Sequence, residues 1–110
     1  MERFVSGNLV VIDFPFSDLT ELKRRPSLVL KNISGNDFIL CQITSNSYHQ
    51  HEEVIITNND LSEGKLRKFS YVRFTKLFTL DKSLIRYKLG KVNSNKLSEI
   101  LNRLHEYLVN

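Results

Sequence analysis

Leu97, Ile100, Leu101, Leu104 and Leu108 fall at helical spacing at the carboxyl end of a chain whose earlier apolar residues come in short runs. The five leucine and isoleucine positions give one apolar stripe, and Lys96, Glu99, Arg103 and Glu106 give a charged opposite face. Asn93 or Ser94 supplies a side-chain oxygen for the first unpaired amides of that helix. Upstream, Leu9-Val10-Val11-Ile12, continued to Phe16, reads as a buried strand whose regular pairing Pro15 ends. Ser17 to Arg25 reads as a polar loop, Leu28-Val29-Leu30 as a second strand and Phe38 to Ile43 as a third. Ser34-Gly35-Asn36 between them has turn chemistry. Val54 to Thr57 is a fourth strand, broken by Asn58-Asn59-Asp60, and Ser70 to Leu80 a long half-buried fifth. Leu84 to Leu89 fits a short helix or a strand equally well. Five short strands and one amphipathic helix imply an α+β domain: a small curled antiparallel sheet or barrel with the helix packed on it.

No linker, charge block or internal repeat divides the 110 residues, so residues 1–110 are expected to be one domain. The run Leu9–Ile12 is far short of the roughly 20 apolar residues of a membrane span. Met1-Glu2-Arg3-Phe4 lacks the long apolar segment of a secretory signal, so none is expected. A lone cysteine, Cys41, makes no internal disulfide, and the cytoplasm is the expected compartment. Within its apolar strand Cys41 reads as a packed, inert thiol.

The net charge of +4 is unevenly spread. Between Lys65 and Lys91 stand nine basic residues and one acidic residue, Asp81, a local charge of +8 against −4 for the remainder. Such a window attracts a polyanion, although lysines also keep exposed strands soluble. Phosphate-binding glycine loops, GxSxG and CxxC pairs are missing from the sequence. His49-Gln50-His51 with Glu52 and Glu53 lacks the further ligands of a convincing zinc site, so no metal is expected. His105, beside the apolar stripe, reads as structural.

Two features suggest chemistry. Lys23-Arg24-Arg25-Pro26 ends the polar loop where a strand begins, and its last arginine is placed to offer a rigid fork to phosphate. Thr44-Ser45-Asn46, at the end of the third strand, clusters small hydrogen-bonding groups; a turn with side-chain-to-backbone bonds has the same composition.

Together these segments resemble the MazF/PemK/Kid family of toxin–antitoxin ribonucleases. Gly7 to Ser17 is similar to the family's opening glycine, strand and FPFS corner. Arg24-Arg25-Pro26-Ser27-Leu28-Val29-Leu30 resembles its RRPALVL block, and Ile43-Thr44-Ser45 its ITS strand end. Ser70-Tyr71-Val72-Arg73 with Lys76 to Asp81 resembles the late block, followed by Leu89-Gly90 and the leucine helix. The resemblance implies a small SH3-like barrel acting as a homodimer. Such a protein cuts single-stranded RNA at short sequences without metal or other cofactor, and a cognate antitoxin silences it.

Carried over position by position, the resemblance puts the catalytic arginine on Arg25, the catalytic threonine on Thr44 and the neighbouring hydroxyl on Ser45. Lys23, Arg24, Arg73 and Lys76 would hold RNA phosphates. Phe16 and Tyr48 would stack on splayed bases, whereas Phe74 reads as core. PemK-type members carry an aspartate where this chain has Thr75, which leaves the general base to Glu21 or His49. The alternatives are a non-catalytic, toxin-like binder of gyrase or RNA, or a degenerate homologue.

Overall fold

The structure, a computed structural model, describes residues 3–14, 23–47 and 50–110. Among these residues seven strands form one antiparallel sheet: β1 (Asn8–Phe14), β2 (Lys23–Asn32), β3 (Asp37–Thr44), β4 (Glu53–Ile56), β5 (Leu61–Gly64), β6 (Ser70–Asp81) and β7 (Ile85–Val92). One helix, α1 (Ser94–Val109), follows. The strand order is β4-β6-β3-β2-β1-β7-β5. Its two edges, β4 and β5, are consecutive in the chain and joined by residues 57–60 alone. So short a link holds the edges close, and the sheet has to roll up. Among the described residues β4 and β5 do not pair with each other, so the roll is barrel-like but open along that seam.

Irregularities in pairing supply the curvature. The β3–β6 register jumps between Cys41↔Leu77 and Gln42↔Arg73, and β2–β3 shifts between Val29 and Lys31. Both faces of the central strands are covered, which is why β1 reads as a continuous apolar run rather than an alternating one. Leu9, Leu28, Cys41, Ile43, Val72 and Phe74 pack on one face with Ile100 of α1. Val10, Ile12, Val29, Leu40 and Leu80 pack on the other with Phe4.

The helix is fastened at its start. Asn93 Oδ1 accepts the Lys96 N–H at 2.7 Å, and the Asn93 N–H donates to the Asp60 carbonyl at 2.7 Å. Lys96 Nζ lies 3.7 Å from Asp60 and donates to the Ile55 carbonyl at 3.4 Å. Thus α1 is tied to the segment that joins the two sheet edges.

Several expectations need correction. The Lys23-Arg24-Arg25 triplet belongs to β2 rather than to a loop, paired with Phe14, Asp13 and Ile12 of β1. Among the described residues the sheet has seven strands, not five: β5 was missed and residues 85–92 are a strand. On α1, Leu97, Ile100 and Leu104 meet the core, whereas Leu101, Leu108 and His105 are exposed. The face turned to the sheet runs through Leu97, Ile100 and Leu104 to Tyr107, whose ring meets Phe74 edge-on, and Leu101 and Leu108 lie to one side of it.

Candidate functional site

Pairing between β2 and β3 begins at Ser27↔Gln42, next to Pro26, which has no N–H to extend a ladder. Arg25 lies two residues beyond Ser27, and Thr44 two residues beyond Gln42. The alternation of each strand therefore carries Arg25 and Thr44 to the same face as Ser27 and Gln42, just past the end of the ladder. Together they line a cleft of about 440 Å³, with Gln42, Ser45, Asn46 and Ser70. Arg67, Lys68 and Arg73 line it too, so four cationic residues border a cleft that holds three small alcohols, Thr44, Ser45 and Ser70.

Thr44 is oriented by its own turn. Its Oγ1 accepts the Asn46 N–H at 3.2 Å, which uses one lone pair and leaves the hydroxyl proton to be donated elsewhere. The Arg73 guanidinium is held from two sides. Its Nη1 donates to Gln42 Oε1 at 3.2 Å, and its Nε lies 3.9 Å from Glu53 Oε2. Gln42, Arg73 and Glu53 face one another across β3, β6 and β4 in register. Ser27 extends that rung into β2; its Oγ is buried and has no hydrogen-bond partner among the described residues.

The other sequence-derived candidates are placed as follows. Lys23 and Arg24 are exposed on β2, and neither lines the cleft. Arg24 stands directly across from Asp13, 3.8 Å from its carboxylate. Lys76 borders a second, more apolar cleft of about 430 Å³ with Phe14, Leu77 and Phe78; Gln42 lines both clefts. Phe16, Glu21, Tyr48 and His49 lie outside the described residues. Thr75 Oγ1 donates to Glu52 Oε1 at 2.9 Å. Phe74 is buried in the core as expected, and burial pushes the Cys41 thiol well above its ordinary range.

The basic window does not form one surface. Arg67, Lys68 and Arg73 reach the cleft, but Arg86 lies 3.6 Å from Asp13, and Lys82 sits over the Phe4 ring. Sequence reasoning missed Gln42, Arg67, Lys68 and Glu53 as neighbours of the site. The clustering of basic residues signalled Arg67 and Lys68. Nothing local signalled Gln42 or Glu53, because their proximity to Arg73 comes from strand register.

A rolled antiparallel sheet, fastened by one helix and cut by a cleft walled with cations, defines a small barrel-like β protein with a polar surface site. A family model described as the PemK-like, MazF-like toxin of type II toxin–antitoxin systems matches residues 6–108, and the chain belongs to that family. In fold it is similar to MazF from Deinococcus radiodurans, with 22% identity, a TM-score of 0.77 and 100% of both chains covered. It is also similar to an endoribonuclease from a mycobacterial species in complex with its cognate antitoxin. There the identity is 18% and the TM-score 0.75, over 96% of this chain and 95% of that one. A third likeness is to the Mycobacterium tuberculosis toxin MazF-mt6, with 14% identity and a TM-score of 0.72 over 92% of this chain and 95% of that one. Among curated proteins none matches the sequence. Among the described residues no helix is long and apolar enough to cross a membrane.

Proposed function

We propose that this chain is a sequence-specific endoribonuclease toxin that cuts single-stranded RNA without a metal ion and is neutralised by a cognate antitoxin. The observation that carries the reading is the convergence of Arg25 and Thr44 on one cation-walled cleft. Family membership and the endoribonuclease among its structural likenesses support it.

RNA carries its own nucleophile. The 2′-hydroxyl attacks the adjacent phosphorus, its proton leaves to a base, and the 5′-oxygen departs with a proton from an acid. The products are a 2′,3′-cyclic phosphate and a 5′-hydroxyl. Arg25 serves as the charge stabiliser: its planar fork meets the nonbridging oxygens, and the contact strengthens as negative charge develops on the phosphorane. A guanidinium offers five N–H donors and no acceptor, so Arg25 does not act as the base. Thr44 and Ser45 donate neutral hydrogen bonds to the same phosphate. Glu21 and His49 are the candidates for the base.

Arg73, with Arg67 and Lys68 beside it, holds flanking phosphates within the cleft, and Lys23, Arg24 and Lys76 extend contact beyond it. Phe16 and Tyr48 stack on unpaired bases. The protein acts as a homodimer in the cytoplasm. An antitoxin with an acidic segment silences it by occupying the cationic cleft, a competition that salt weakens.

The test is cleavage of a long unstructured RNA by purified protein in excess EDTA, with the ends mapped. Cuts at a recurring short sequence, each leaving a cyclic phosphate and a 5′-hydroxyl, support the reading. Intact RNA, or cutting that only added divalent metal restores, overturns it.

A further inference from the structure

Glu53 opens β4 with its side chain only 2% exposed. A carboxylate this deeply buried is costly unless paired. One oxygen, Oε2, lies 3.9 Å from Arg73 Nε, and the other, Oε1, accepts from Ser47 Oγ at 2.7 Å. Arg73 lines the cleft, and Ser47 lies three residues past Thr44 in the turn that carries Ser45. Glu53 itself is not part of the cleft wall. It thus grips two components of the site from behind.

Stability gives no sufficient reason for a charge there, because a buried ion pair is often matched or bettered by apolar residues of similar volume. Net charge argues against it as well, since a carboxylate beside a cationic cleft weakens its pull on a polyanion. Orientation does account for it. Arginine is long and rotamer-rich. With Nε facing Glu53 and Nη1 donating to Gln42 at 3.2 Å, the plane of the Arg73 guanidinium is fixed against the cleft.

We infer that Glu53 is a positioning residue. It aims Arg73 at an RNA phosphate and, through Ser47, holds the turn bearing Thr44 and Ser45 to the same frame. The inference rests on the nuclease reading.

The test compares wild type, Glu53→Gln, Arg73→Met and the double variant on one RNA that wild type cuts in EDTA, measuring kcat, KM and melting temperature. Glu53→Gln should lower kcat/KM by between about ten- and a hundredfold, the scale of loss when a positioned group shifts by about an ångström. A role in charge alone predicts the reverse, tighter RNA binding and a lower KM. In the Arg73→Met background most of the Glu53→Gln loss should vanish, because there is no guanidinium left to aim. Equal losses in both backgrounds, or full activity of Glu53→Gln, overturn the inference. Should Glu53→Gln not fold, Ser47→Ala carries the test: a severalfold fall in kcat at unchanged melting temperature supports it, and an unchanged rate overturns it. Failure of wild type to cut RNA defeats the nuclease reading and this inference with it. Cleavage indifferent to Glu53 defeats the inference alone.

Discussion

Arg25 and Thr44 each lie two residues beyond the Ser27↔Gln42 pair, where the β2–β3 ladder stops, and both line the same cleft. The position of Pro26 links sequence to site here. A strand residue without an N–H marks the point at which the β2–β3 ladder ends, and both strand ends there line the cleft. The arginine that precedes it remains on a strand, held by its pairing to Ile12, so its backbone is fixed while its side chain stays accessible.

Arg25→Ala should therefore separate activity from folding. Arg25 is exposed, so its removal should change stability by no more than about 0.5 kcal/mol. As the charge stabiliser it should cost about 3 kcal/mol of transition-state stabilisation, a fall in kcat of roughly two to three orders of magnitude. Steady-state cleavage beside a urea unfolding curve checks both figures. Undiminished kcat would remove Arg25 from the mechanism.

Thr44 offers a finer test, because its hydroxyl accepts from Asn46 and has its proton left to give. Thr44→Val keeps the shape and removes both bonds; Thr44→Ser keeps both. The valine variant should lose about 1.5 kcal/mol or more of catalysis, roughly tenfold, as expected for a donor to a charged group. The serine variant should stay near wild type. Equal rates for all three proteins would show that the hydroxyl takes no part in the chemistry.

Much of this architecture was legible in the residues, and the parts that were not have identifiable causes. The run Leu9–Ile12 declared itself because both faces of β1 are buried. The start of α1 did so through Asn93 and the spacing of Leu97, Ile100 and Leu104. In contrast, β5 is an edge strand, with Ser62, Glu63 and Gly64 all exposed, and carries almost no apolar signal. Lys23 to Arg25 looked like a loop because charge there outweighs the cross-strand pairing that makes it a strand. Arg25 and Thr44 were reached through family resemblance; the cleft they share was not readable, because it depends on where the β2–β3 ladder stops. The Gln42–Arg73–Glu53 rung was equally hidden, since it follows from a register jump of several residues within β3–β6.

Gly90 tests the way the roll is closed at β5. A Cβ at Gly90 would run into the Glu63 carbonyl of the paired strand, a backbone atom with little freedom to move. Gly90→Ala should therefore destabilise the fold by about 1–3 kcal/mol, the usual cost of overpacking. The measurement is the denaturation midpoint. A variant as stable as wild type would mean that β5 and β7 lie farther apart than the structure has them.

Cys41 makes the alkaline limb of stability predictable. Its thiol is fully buried in the core that β3 shares with Leu9, Leu28 and Phe74, and desolvation raises its pKa far above the ordinary value of about 8.5. The sign follows directly. Below about pH 8.5 the thiol is protonated in both folded and unfolded chains and contributes no pH dependence. Above it the unfolded chain releases the proton while the folded chain retains it, so stability falls as pH rises. Cys41→Ala removes this contribution and should flatten the decline between about pH 8.5 and 10. Because the thiolate is the reactive form, alkylation of the folded protein should also proceed only through unfolding and should track the denaturant curve. Parallel alkaline declines in the two proteins, or rapid labelling under native conditions, would show that solvent reaches the thiol in the folded chain.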